Sequence, residues 1–151
     1  MFESNIRHYQ IHIPANKDGI IKITPERMAM TLAVILDRSN HPMLVHCNRG
    51  KHRTGCVTAC LRRVQMVTKE RAVSEYEDYA APKCRPDDIA FIESFDATEL
   101  WPYAQSHGWP VTPPPEPSDG TKDLEKQVFN FNFSLEDMAA LKIPEEPDQS
   151  L

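Results

Sequence analysis

The feature that most limits what this chain can fold into is a junction in its middle. The apolar run Met43-Leu44-Val45-His46 leads into the stretch His46-Cys47-Asn48-Arg49-Gly50-Lys51-His52-Arg53-Thr54-Gly55, and Cys56-Val57-Thr58-Ala59-Cys60-Leu61-Arg62-Arg63-Val64 follows with helical character. A short apolar run suits a buried strand, and the segment behind the loop suits a helix. Strand, glycine-bearing loop and helix in that order point a helix N-terminus at the loop, which is the layout of a phosphate site.

The residues inside that loop fit the layout. Cys47 and Arg53 stand in a Cys-x5-Arg spacing. A free thiol, with a pKa of about 8.5, is mostly protonated near neutrality. Backbone N–H groups converging ahead of a helix N-terminus favour the thiolate, and the same groups can then hold phosphoryl oxygens. Arg53 supplies a two-pronged donor for two of those oxygens as charge redistributes. Gly50 allows tight backbone curvature, and Gly55 allows the helix to start packed near the strand. Thr54 offers a hydroxyl that can stabilise the sulfur when a phosphocysteine is hydrolysed, and His46 is placed to orient the loop by hydrogen bonding. Asn48, Arg49, Lys51 and His52 complete the lining, with more positive charge than one phosphomonoester requires. The alternative for Arg49 and Lys51 is a solvated loop position.

Around this centre the chain reads as a sequence of short elements. Ile6–Ile13 has partial alternation and ends at Pro14, as a strand would. The loop Ala15-Asn16-Lys17-Asp18-Gly19 follows. Thr24-Pro25-Glu26 is a helix start, with a hydroxyl cap, a first-turn proline and an acid facing the dipole. Met28, Leu32, Ile35 and Leu36 recur at helical spacing, so a helix is predicted to about Arg38, broken by Asn40-His41-Pro42. Two further helices are predicted near Lys69–Ala80 and Pro86–Phe95, and the domain closes around His107-Gly108-Trp109.

Residues 111–151 differ in kind, holding six of the thirteen prolines and nine acidic residues against three basic ones. Such a tail buries little apolar surface and is expected to be mostly disordered. Its exception is the aromatic patch Val128-Phe129-Asn130-Phe131-Asn132-Phe133, a candidate docking segment. The expected organisation is therefore a domain over residues 1–110 and an acidic, Pro-rich tail over 111–151.

Composition excludes several classes. The net charge of −5 belongs to the tail, and the near balance elsewhere offers no basic stripe for nucleic acid. No apolar run reaches the length of a membrane span, and the first residues lack a signal-peptide pattern. Cysteines at 47, 56, 60 and 84 form no zinc pattern and no expected disulfide framework, so no metal or cofactor is expected, and the location expected is cytoplasmic or nuclear.

The run His46–Cys56 resembles the signature of the plant and fungal atypical dual-specificity phosphatases, of the inositol pyrophosphate phosphatase type. The likeness extends to Ile13 and the Asn16-Lys17-Asp18 loop, to Glu75-Tyr76, to Ala80-Ala81-Pro82-Lys83-Cys84-Arg85 and to Gly108-Trp109-Pro110. It implies an α/β tyrosine-phosphatase-like fold, with a central, mainly parallel sheet flanked by helices. It also implies hydrolysis of the β-phosphate of diphosphoinositol polyphosphates through a phosphocysteine. Cys47 would be the nucleophile, Arg53 the clamp, and Lys17, Lys51 and His52 contacts to a small inositol polyphosphate, with Asn16 in the same substrate-binding group.

Two departures accompany the likeness. The family has Asn-Lys-Glu-Pro-Phe where this chain has Asn16-Lys17-Asp18-Gly19-Ile20, so Asp18 is a candidate general acid, its alternative being a turn residue. The family domain also has strands ahead of residue 6, so the chain is expected to be N-terminally truncated, with its oligomeric state open. The competing readings are a protein tyrosine or dual-specificity phosphatase acting on a phosphoprotein, and a catalytically impaired phosphate- or inositol-polyphosphate-binding module.

Overall fold

Three helices carry the same buried stripe at a spacing of four: Met28, Leu32 and Leu36; Cys56, Cys60 and Val64; Ala72, Tyr76 and Ala80. Residues four apart share a helix face, so each stripe is one continuous buried face. These stripes lie on α1 (Pro25–Leu36), α2 (His52–Val64) and α3 (Lys69–Ala80). The computed structural model describes residues 6–111 and adds α4 (Pro86–Ser94) and α5 (Trp101–Ser106). Residues 13–111 lie in one compact unit; residues 6–12 lie in another and form neither a helix nor a ladder.

Helix α2 packs against α1, α3 and α4. The small side chains on its inner face, Cys56, Ala59 and Cys60, are all buried and allow close approach. Burying one Met, Leu or Ile side chain is worth about 1.5–3 kcal/mol. Met28, Leu32, Leu36 and Ile92, all fully buried, therefore fix the position of α2 and of the loop at its N-terminus.

Helix ends follow the local chemistry. Thr24 Oγ1 accepts from Arg27 N–H at 3.3 Å, and Thr68 Oγ1 from Arg71 N–H at 3.4 Å, each meeting a first-turn donor. At the other end of α1, four consecutive carbonyls find donors. Asp37 N–H reaches Ala33 O at 3.1 Å, Asn40 Nδ2 reaches Val34 O at 2.9 Å, His41 Nε2–H reaches Ile35 O at 2.7 Å, and Trp109 Nε1–H reaches Leu36 O at 2.6 Å. Arg38 lies over the Trp109 ring at 4.8 Å and donates to Gly108 O at 2.8 Å. The closing His107-Gly108-Trp109 segment is thus tied to the end of α1.

The sheet differs from expectation. Among the described residues no strand ladder forms, and the one β-bridge is the antiparallel pair Lys17–Ile20. A strand exists only by pairing its N–H and C=O groups. Among the described residues nothing runs beside Met43–His46, where Leu44 is 85 % exposed. Helices close their hydrogen bonds internally, so α1, α3 and α4 form over nearly the predicted spans, and α2 starts one turn earlier than predicted, at His52. The tail and its Val128–Phe133 patch lie outside the described residues.

Candidate active site

The loop from Cys47 to Lys51 enters α2 without a side-chain cap. Gly50 turns it at φ +66, a conformation in which L side chains are strained, and a side chain there would have open space around it. The first backbone bond into the helix is Gly55 N–H to Lys51 O at 2.8 Å, so the amides ahead of it face outward from the helix end. Those of Thr54, Arg49 and Gly50 face the sulfur of Cys47.

Cys47 is half-buried, and burial pushes its thiol up. The Thr54 hydroxyl and the N–H groups of Thr54, Arg49 and Gly50 outweigh that effect and bring the pKa down to about 7. A substantial thiolate fraction is therefore present near neutrality. Thr54 Oγ1 is buried and makes no hydrogen bond among the described residues. Its hydroxyl is an unspent donor in the loop and the largest of the groups that lower the Cys47 pKa. The other cysteines contrast with Cys47. Cys56 and Cys60, buried on the inner face of α2, have thiols pushed well above the ordinary range by desolvation.

The predicted cations separate into two groups. The guanidinium groups of Arg49 and Arg53 make no hydrogen bond or ion pair among the described residues, Arg53 being half-buried and Arg49 exposed. Lys51 and His52 turn instead to the segment between α3 and α4: Lys51 Nζ donates to Ala81 O at 2.9 Å, and His52 Nε2–H to Lys83 O at 2.7 Å. Asn48 is exposed on the loop. His46 is exposed and makes no hydrogen bond among the described residues. Among the described residues, no hydrogen bond from His46 supports the orienting role expected of it.

The upstream loop is a tight turn. Asp18 and Gly19 have φ of +62 and +74, and Lys17 and Ile20 exchange backbone bonds of 3.3 and 3.1 Å. Two successive positive φ values between bridged residues make a type I′ turn, for which Asp-Gly is a favoured pair. Gly19 N–H donates to Asp87 Oδ2 at 3.1 Å, fastening the turn to the start of α4.

Asn16 requires a correction. Expected among the substrate contacts, it is fully buried: Nδ2 donates to Asp88 Oδ1 at 3.0 Å, and Oδ1 accepts from Lys22 N–H at 2.8 Å and Ile23 N–H at 3.1 Å. With its polar atoms engaged inside the protein, it positions the loop and does not touch substrate. Asp88 Oδ2 accepts from Tyr76 Oη–H at 2.7 Å, and Tyr76 Oη accepts from Arg85 N–H at 3.3 Å. The Tyr76 ring lies under Gly55, where an added Cβ would sit 2.8 Å from Cδ2. Sequence reasoning missed this network. Its only signal was that Asn16, Tyr76 and the 80–85 segment fell within the family likeness.

Comparison with known proteins supplies context. The profile of the tyrosine phosphatase family matches residues 1–111. The chain is 44 % identical over 95 residues to inositol diphosphatase DSP1 of Oryza sativa subsp. japonica, covering 63 % of this chain and 43 % of that protein. It is 37 % identical over 106 residues to inositol diphosphatase SIW14 of Saccharomyces cerevisiae, covering 70 % of this chain and 38 % of that one. The solved catalytic core of Siw14 superposes with a TM-score of 0.63 at 36 % identity, over 68 % of this chain and 62 % of that structure. The chain thus spans 43 % and 38 % of the lengths of these two curated relatives.

Proposed function

Because this chain belongs to the tyrosine phosphatase family, with a tyrosine-phosphatase-like fold, we propose that it hydrolyses the β-phosphate of diphosphoinositol polyphosphates through a phosphocysteine intermediate. The observation that carries this reading is the Cys47 thiol, brought to about 7 by the Thr54 hydroxyl and loop amides against the opposing effect of burial. A phosphate cradle and a thiolate at neutral pH occupy the same few residues, and Arg53, six positions on in the chain, keeps a guanidinium with no hydrogen bond or ion pair among the described residues.

Cys47 Sγ attacks the terminal phosphorus in line with the bridging oxygen. The S–P bond forms as the P–O bond to the bridging oxygen breaks, and the inositol polyphosphate leaves with the electron pair. Loop amides and Arg53 hold the three non-bridging oxygens through this step. The leaving group is itself a phosphate, so it needs little protonation, unlike a tyrosine or serine oxygen. Water then attacks the phosphocysteine. Inorganic phosphate departs, a proton passes to solvent, and the thiolate re-forms with the Thr54 hydroxyl donating to it.

The choice of substrate rests on charge and on relatives. Lys17, Arg49, Lys51, His52 and Arg53 provide more positive charge than one monoester uses, and the two curated relatives above are named inositol diphosphatases. Lys51 and His52 join the polyphosphate by exchanging their bonds to the 81–83 carbonyls for phosphate oxygens.

The deciding experiment is phosphate release from diphosphoinositol pentakisphosphate by the full chain and by Cys47→Ser. Release by the first and none by the second is expected. No release by folded wild type overturns the catalytic reading in favour of a binding module. A preference for a phosphotyrosine peptide overturns the substrate assignment.

A further inference from the structure

An open groove of about 480 Å³ lies between the Lys17-Asp18-Gly19 turn and the segment Cys84-Arg85-Pro86-Asp87. Its two walls are held by one buried carboxylate. Asp88 fixes the first wall through Asn16, whose oxygen gathers the Lys22 and Ile23 amides, and fixes the second through Tyr76, whose hydroxyl accepts the Arg85 N–H. The groove adjoins the phosphate loop, because Lys51 and His52 bind the carbonyls of Ala81 and Lys83, just ahead of Arg85.

Arg85 itself is the unexplained residue. Its side chain is half-buried, and its guanidinium makes no hydrogen bond or ion pair among the described residues, although its backbone is firmly held. A guanidinium matches phosphate oxygens with paired donors. Two acids share the groove, but Asp87 accepts the Gly19 N–H at 3.1 Å and so fastens the turn. Asp18 sits exposed on the turn and offsets Lys17 in part. An anion with a single phosphate gains little in such a balanced setting. A polyphosphate spanning the loop and the groove gains at both ends.

We propose that Arg85, with Lys17 across the groove, forms an accessory anion subsite that holds a substrate phosphate other than the one transferred. This makes Arg85 a specificity-determining residue. The identity of the polyphosphate rests on the function proposed above; the subsite itself rests on the groove.

The test compares kcat/KM on diphosphoinositol pentakisphosphate and on p-nitrophenyl phosphate for wild type, Arg85→Gln and Arg85→Lys, each as the full chain. Arg85→Gln should lower the ratio of the two by about tenfold, mainly through KM on the inositol substrate, with Arg85→Lys restoring part of it. A ratio within about twofold of wild type overturns the proposal, whether both rates fall together or neither does. If wild type does not cleave the pyrophosphate, the proposed reaction fails and the subsite is read by calorimetry on Cys47→Ser. There, Arg85→Gln should weaken inositol hexakisphosphate about tenfold more than inorganic phosphate, and a parallel loss on both overturns it.

Discussion

Asn16 and Asp88, 72 residues apart in sequence, meet in the interior through a hydrogen bond of 3.0 Å from Nδ2 to Oδ1. Both are essentially excluded from solvent, at 0 % and 1 % exposure. The pair joins the upstream turn to α4, and Tyr76 extends it to α3 and the Arg85 amide. Truncation of Asn16 therefore leaves two buried groups without partners, the Asp88 carboxylate oxygen and the Ile23 N–H. Each such group costs about 1–3 kcal/mol. Asn16→Ala should lose about 2–6 kcal/mol of stability, seen as a fall in melting temperature of roughly 10 °C or more. Asn16→Asp sets a second carboxylate against Asp88 and should be less stable at neutral than at acidic pH, where one of the two protonates. A melting temperature unchanged in both variants would remove the network from the account.

The pH dependence of Cys47 gives a second expectation. Alkylation by iodoacetamide follows the thiolate, so its rate should rise with pH around a midpoint of about 7, below the ordinary thiol value. Removing the hydroxyl in Thr54→Val takes away the largest of the groups that lower the pKa, so the midpoint should move up. The sign for stability follows. A depressed folded pKa contributes stability that is complete above the ordinary thiol value and is lost as pH falls through about 7. A midpoint that stays put in Thr54→Val would show that the amides alone hold the thiolate.

What was legible in the sequence was what is local. The Thr24-Pro25-Glu26 start is the observed cap of α1, and Lys69–Ala80 is α3 over its full predicted span. The loop was legible because its chemistry is consecutive, with Cys47, Gly50, Thr54 and Gly55 close in the chain. The Asn16–Asp88–Tyr76 network was not, since its members come from three segments and no local pattern distinguishes a buried Asn or Asp from an exposed one. Pairing was not legible either. Leu44 and Val45 have strand composition, but a ladder depends on what lies alongside, and here both remain exposed.

Gly55 should tolerate a methyl group poorly even though it sits within a helix. Alanine gains about 1 kcal/mol of helix propensity over glycine. An added Cβ would lie 2.8 and 3.1 Å from Tyr76 Cδ2 and Cε2, and the Tyr76 hydroxyl is pinned by Asp88 at 2.7 Å, so the ring has little room to yield. Overpacking of this kind costs about 1–3 kcal/mol, which outweighs the propensity gain. Gly55→Ala should be destabilised in urea unfolding, and by less when introduced into Tyr76→Leu than into wild type. A more stable single variant would show that the ring moves freely.

Asp18 is where turn geometry and acid catalysis make opposite forecasts. At φ +62, ahead of Gly19 at +74, it occupies the first central position of a type I′ turn, which Asn-Gly fits as well as Asp-Gly. A general acid would make Asp18→Asn slow on an aryl phosphate, whose leaving oxygen needs a proton, by roughly 10²–10⁴-fold, and far less affected on a phosphoanhydride. A turn residue predicts that Asp18→Asn retains turnover on both. It also predicts that Asp18→Val, β-branched and strained at positive φ, loses stability of order 1–3 kcal/mol. The Lys17–Ile20 bridge and the Gly19 bond to Asp87 hold the turn at α4, and neither uses the Asp18 carboxylate. The expected outcome is therefore retention on both substrates for Asp18→Asn and a lower melting temperature for Asp18→Val. A selective loss on the aryl phosphate would assign the carboxyl to catalysis instead.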